Sequence, residues 1–118
     1  MCFTSGPTVT NSRVSRGRQT QALVAQYLAE RGWPDAKSRP ASLPGKDIYD
    51  CGLLAPEVKA TAKGDLTGAL RQARANAVDL DVPFVVYRPS GYGPERIDLW
   101  VAAFEFKEAV RVLNMAGF

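Results

Sequence analysis

The sequence predicts a mixed α+β domain: a central mixed β-sheet of about five strands flanked by helices, in the order α-β-β-β-α-β-β-α. Three observations predict it. Apolar side chains recur at helical spacing in three segments, β-forming runs lie between those segments, and the connections are rich in Gly and Pro. A chain of 118 residues has room for one domain, placed at residues 15–118 behind a flexible N-terminal arm of residues 1–14 that is rich in Ser, Thr, Gly and Pro.

The first helix is expected from Ser15, a candidate N-cap, to Arg31. Leu23, Val24, Tyr27 and Leu28 form its apolar stripe, and Gly32-Trp33-Pro34 stops it. A short extended stretch over Ala36–Arg39 leads into the turn-rich Pro40–Gly45. Asp47–Cys51 and Leu53–Thr61 then read as two strands paired antiparallel through a tight turn at Gly52. A second helix opens at Gly64-Asp65 and runs to about Leu80, with Leu66, Ala69, Leu70, Ala73, Ala77 and Leu80 on one face. Val82–Arg88 is strongly β-forming despite Pro83. Pro89–Pro94 is a loop, Ile97–Ala103 a further strand, and Phe104–Met115 the last helix.

Composition excludes much chemistry. The chain has no histidine, so no Ser-His-Asp or Cys-His nucleophile, no HExxH zinc site and no histidine base can be built. Cys2 and Cys51 are too few for a tetrahedral zinc site and read as reduced thiols. No targeting segment or membrane-length apolar run is visible, so the expected location is the cytoplasm, and the compact size fits a phage recombination or genome-processing enzyme acting in its host. Any catalysis falls to carboxylates, lysine, hydroxyls or a metal held by oxygen.

The formal net charge of +3 is unevenly spread. Residues 1–46 carry seven basic side chains against two acidic ones, whereas residues 47–118 carry eight against ten. A basic front with an acidic middle suits a binder of phosphate backbones that keeps carboxylates at its centre.

The informative segments are Lys46-Asp47-Ile48 and Glu57-Val58-Lys59. On a strand, Glu57 and Lys59 share one face while Val58 points to the other. With Asp47 across the turn, two carboxylates converge beside one ammonium. Such a pair is costly unless a cation or a shared proton relieves it, and Mg²⁺ is the natural hard ion for one or two carboxylates plus water and phosphate oxygens. Lys59 would orient the attacking water or neutralise charge on the phosphate. A second Glu-x-Lys, Glu105-Phe106-Lys107 with Asp98 upstream, sits where a strand enters the last helix and has no further strand to build a sheet around it.

These residues resemble the PD-(D/E)XK nuclease superfamily, and within it the small archaeal-type Holliday junction resolvases. Arg16-Gly17 opens the first helix as the family's basic-Gly pair does, and Gln21 falls where those resolvases carry a metal-binding Glu. Arg39 precedes Asp47 by the eight residues the family uses for a DNA-contacting arginine, and Asp47-Ile48 and Glu57-Val58-Lys59 follow. The resemblance spans about Arg16 to Arg88. It implies a restriction-endonuclease-like core and a Mg²⁺-dependent phosphodiesterase, with Mn²⁺ able to substitute. Asp47, Glu57 and the Val58 carbonyl would bind metal, Lys59 would assist the water, Gln21 would complete the shell, and Gln72 could assist from the second helix. Arg13, Arg16, Arg18, Arg39, Lys46 and Lys63 would contact phosphates. Family members act as homodimers that nick two strands of a four-way junction. Three departures stand out: Gln21 replaces an acid, Asp47 and Glu57 are unusually close in sequence, and Pro56 removes a ladder donor and so implies a strand edge or bulge.

Three other readings stay open: a restriction or repair nuclease of the same superfamily acting on linear or single-stranded DNA, a DNA-binding module of this fold without activity, and an unrelated mixed α/β interaction domain without affinity for DNA. Trp33 and Trp100 read as core or dimer contacts, and Gly91-Tyr92-Gly93 as a plain hairpin connection.

Overall fold

The computed structural model describes residues 12–40, 43–60 and 64–118, with side chains from Ser15 onward. Most of the expected arm, together with Cys2, Lys63 and the side chain of Arg13, lies outside the described residues. The elements are α1 (Ser12–Ala29), β1 (Lys37–Ser38), β2 (Ile48–Tyr49), β3 (Leu54–Lys59), α2 (Leu66–Asn76), β4 (Val82–Tyr87), a 3₁₀ helix (Pro94–Leu99), β5 (Val101–Ala103) and α3 (Phe106–Met115). The mixed α+β order matches the expectation. The sheet does not: its strands divide into an antiparallel pair, β1-β2, and a three-stranded sheet, β3-β4-β5.

The reason for the split lies on the outer edge of β3. β3 pairs parallel with β4 on its inner side, and its other edge carries the N–H groups of residues 54, 56 and 58. Leu54 N–H is already donated to the Cys51 carbonyl in the turn, at 3.1 Å. Pro56 has no N–H. Val58 N–H is donated to the Asp47 carboxylate, at 2.7 Å. No donor remains for a strand ladder, so β2 pairs with β1 instead, Ile48 opposite Ser38 and Tyr49 opposite Lys37. The antiparallel hairpin expected between the strands of Asp47 and Glu57 is therefore replaced by a turn that changes sheets. Gly52 makes that turn at φ +61°, and a Cβ there would stand 3.2 Å from Trp33 Nε1.

Pro83 is tolerated in the central strand for a related reason. β5 reaches only from Tyr87 back to Val85, so the position facing Pro83 on that side has no ladder partner to lose. The parallel β3 and β4 are joined by α2, which buries Ala69 and Ala73. Small residues there let the helix lie close over the sheet face that holds Ala55 and Val85, 2% and 0% exposed. The opposite face, with Leu54, Val58 and Val86, meets α1 in a core centred on Val24, Ala25, Ile48, Cys51 and Trp100.

Further boundaries shift: α1 starts at Ser12 and ends at Ala29, so Ser15 lies inside the helix instead of capping it. α2 ends at Asn76 rather than Leu80: Ala77 turns extended, Asp79 takes φ +51°, and the Asp81 carboxylate accepts Val78 N–H at 3.1 Å. The strand expected over Ile97–Ala103 is a 3₁₀ helix through Leu99 followed by three β residues, because Pro94 sits in the first helical turn and favours helical entry. Gly91-Tyr92-Gly93 leads into that 3₁₀ helix instead of closing a tight hairpin. Trp100 is in the core and Trp33 packs at its border. Among the described residues, no helix is long and apolar enough to cross a membrane.

Ile48 is wholly buried, so Ile48→Ala should cost about 2–5 kcal/mol of unfolding free energy. Leu80→Ala, at a side chain 71% exposed, should cost less than about 0.5 kcal/mol. Urea titration of both variants checks this, and equal losses would place the core elsewhere.

Candidate active site

The site forms where the β1-β2 pair abuts the open edge of β3. Carrying the β1-β2 register one residue further sets Arg39 opposite Asp47, and Arg39 N–H is donated to the Asp47 carbonyl at 2.8 Å. The eight-residue spacing between these two is thus a cross-strand partnership. Their side chains pair as well, Arg39 Nη2 lying 3.2 Å from Asp47 Oδ1. The other carboxylate oxygen, Oδ2, accepts Val58 N–H. From α1, the Gln21 side-chain amide is donated to the same Asp47 carbonyl at 2.5 Å and reaches the Arg39 carbonyl at 3.4 Å. Asp47, at 6% exposure, is held by three elements.

Glu57 neighbours Val58 on β3 and is 4% exposed. Lys59 shares its face, as strand alternation requires, and its Nζ lies 3.3 Å from Glu57 Oε2. Burial pushes the Glu57 carboxyl above the usual carboxylate range, and the nearby Asp47 charge pushes it further; Lys59 and Arg39 only partly oppose this. In a β-strand the N–H and C=O of one residue point to the same side, so the Val58 carbonyl also faces the open edge. Two carboxylates, a carbonyl and an ammonium therefore share one corner, and burial with the Asp47 charge disfavours the ionised form of Glu57 there.

The other residues named from the sequence fall into three groups. Arg39 and Lys46 are engaged within the chain, Arg39 with Asp47 and Lys46 with Asp81 at 2.5 Å. Burial raises the Asp81 pKa, but hydrogen bonds from Lys46 and Val78 N–H and the Lys46 charge outweigh it, so the carboxyl sits below its ordinary value. Arg16 is half-buried on α1, while Arg18 and, on α2, Gln72 are exposed. Arg13 and Lys63 fall outside the described side chains. Cys51 is buried in the core, its thiol pushed up by burial and near the Leu54 carbonyl at 3.3 Å, which makes it a poor nucleophile. The second Glu-x-Lys is dispersed. Glu105 pairs with Arg74, and Asp98 accepts the Tyr27 hydroxyl at 2.9 Å.

Among the described residues, no group of three or more acidic, Cys or His side chains gathers to hold a metal, so any ion here would rely on two carboxylates and backbone or solvent oxygen. One charged residue escaped the sequence reading: Arg88, just beyond β4, is 5% exposed. At the end of an apolar strand, with no pattern to mark it, it reads as a surface cation.

No protein-family model matches the chain, and no curated protein or solved structure matches it either.

The raised Glu57 pKa carries a sign. The folded state binds that proton more tightly than the unfolded chain, so ionisation destabilises as pH rises from the ordinary Glu range through the raised value. Glu57→Gln should therefore be more stable than the parent at pH 8 in EDTA, and the difference should shrink towards pH 4. Urea unfolding across that range checks it; a pH-independent difference would show that Glu57 is not held unfavourably charged.

Proposed function

We propose that the protein is a metal-dependent, structure-selective DNA endonuclease, a Holliday junction resolvase that hydrolyses phosphodiester bonds in branched DNA. One observation carries this reading: Asp47, Glu57, the Val58 carbonyl and Lys59 converge at a strand edge that, among the described residues, no other strand covers. The PD-(D/E)XK core and the single five-stranded sheet of that superfamily belong to the same reading. Here the five strands would act as two abutting sheets.

The donor set fits one hard divalent cation. Asp47 and Glu57 supply hard oxygens, the Val58 carbonyl faces the same edge, and both the burial that lifts Glu57 and the lesser repulsion from Asp47 are what a bound cation offsets. Mg²⁺, or Mn²⁺ in its place, would be held by these three groups and would supply polarisation of the scissile phosphate. The chain's own groups do the rest. Val58 N–H and Arg39 fix the Asp47 carboxylate, so it need not reorganise when a phosphate arrives. Gln21 clamps the end of the β1-β2 pair onto α1 and acts as a positioning residue. Lys59, with a side chain 42% exposed, can swing from Glu57 to the incoming phosphate and offset its developing charge.

Recognition of branched DNA by shape calls for phosphate contacts, to which Arg16, Arg18 and the other basic residues of the front half would contribute. Two matched cuts call for a homodimer. α3 supports one: Phe106, Val110 and Leu113 lie at helical spacing and are exposed by 84%, 42% and 49%.

The decisive assay offers labelled four-way junctions and matched linear duplex with Mg²⁺, Mn²⁺ or EDTA. Metal-dependent nicking of the junction is expected, reduced at least roughly 100-fold in Glu57→Gln and in Lys59→Ala. Parent activity no greater than that of the two variants would leave a DNA-binding module, and equal cleavage of both substrates would remove the resolvase assignment. Light scattering should give a dimer mass that Leu113→Glu halves; a monomeric parent at tens of micromolar would overturn the dimer.

A further inference from the structure

Arg88 is a buried cation with no anion. Its side chain points to the α1 face of the sheet, where Nε is donated to the Tyr92 carbonyl at 2.8 Å. Nη1 reaches the Gln19 amide oxygen and the Thr20 hydroxyl, both at 3.3 Å. The guanidinium lies 5.3 Å from the centre of the Trp100 ring. Every one of these partners is neutral. All twelve acidic side chains of the chain belong to described residues, and none forms an ion pair with Arg88. Nη2 has no hydrogen-bond partner among the described residues, and it is not among the atoms sealed from solvent without one. Burial depresses the Arg88 pKa, and the charge of Arg16 depresses it further, with Glu95 acting weakly the other way.

Removing a guanidinium from water costs several kcal/mol, and a structural arginine ordinarily recovers this from a carboxylate. Here the chain brings a second guanidinium instead. Arg16 lies one helical turn before Thr20, whose hydroxyl donates to the Arg16 carbonyl and accepts from Arg88, and Arg88 itself, locked by three neutral acceptors and a ring face, keeps an unmet N–H donor and an uncompensated positive charge. An oxyanion able to accept from both is the missing partner, and phosphate matches the arginine fork.

The position links this feature to the candidate active site. Arg88 N–H is donated to the Lys59 carbonyl at 3.1 Å, so Arg88 extends the β3-β4 ladder by one rung beyond Lys59. On α1, Gln19 and Thr20 hold Arg88 while the next residue, Gln21, holds Asp47. One turn of helix thus ties the buried cation and Asp47 to a common frame.

We propose that Arg88, with Arg16 one helical turn before Thr20 on α1, is a phosphate anchor for the DNA backbone, gripping from the α1 face of the sheet a phosphodiester other than the one attacked. The identity of the ligand rests on the nuclease reading; the anion site itself does not.

The test measures junction binding by fluorescence anisotropy between 50 and 200 mM salt in EDTA, using the parent, Arg16→Gln and Arg88→Gln, with folding checked by circular dichroism. Each variant should bind roughly tenfold more weakly, and the slope of log affinity against log salt should fall by about one. Inorganic phosphate should raise the thermal midpoint of the parent above that in chloride of equal ionic strength, and should do so less in both variants. Folded variants with the parent's affinity and slope overturn the anchor. If Arg88→Gln does not fold, Arg16→Gln, on a half-buried helix position, decides alone. Phosphate protection without any change in DNA binding would make this a free-phosphate site and overturn the DNA assignment. Loss of slope in a protein that binds but never cleaves would sustain the anchor and defeat only the nuclease reading.

Discussion

The Asp47 carboxylate on the Val58 N–H is the contact on which the rest of the structure depends. An edge strand has to satisfy or expose its outward amides, and β3 does so without a neighbouring strand: a turn takes one, proline deletes one and a carboxylate takes the third. This excludes β2 from the sheet, keeps the edge open and anchors an acidic side chain there. The same arrangement turns the Val58 carbonyl outward and brings Asp47 against Glu57. Architecture and site therefore share one origin, and a change at Pro56 or Asp47 would disturb both.

Charge is distributed in this molecule against its own stability in two places, on opposite faces of the sheet. Glu57 is buried beside a like charge, with an ammonium that is almost half exposed as its counterweight. Arg88 is buried among neutral acceptors with another arginine close by. Each is unfavourable alone, and the two are opposite in sign. Under the proposed function, a divalent cation would relieve the first and a phosphate the second. Other charges are paired conventionally, as in Lys46 with Asp81 and Arg111 with Glu108.

Much of this was legible in the residues. Apolar spacing located α1, α2, α3 and the β4 run, and the Glu-x-Lys alternation placed Glu57 and Lys59 on one face. Pro56 marked an edge before any strand partner was known. The Arg39-Asp47 spacing was visible too, but as a match to a family habit; its cause is that the two residues face each other across the β1-β2 pair. What stayed hidden was the pairing of the strands. Short runs such as Ile48-Tyr49 carry no periodicity that names a neighbour, so an adjacent hairpin was the economical reading. Arg88 and the 3₁₀ helix stayed hidden likewise, since neither burial of a charge nor a local helical turn after Pro94 leaves a pattern in hydropathy.

The chain's own residues determined the element types, the edge character of β3 and the inventory of chemistry, because helix and strand periods, missing donors and side-chain pKa ranges are local properties. Only the tertiary structure decided which strands pair, that Asp47 reaches Glu57 through a backbone amide rather than across a hairpin, and that Arg88 is buried without an anion. Those are non-local facts: each depends on which distant groups compete for the same donor, acceptor or low-dielectric space once the chain has closed.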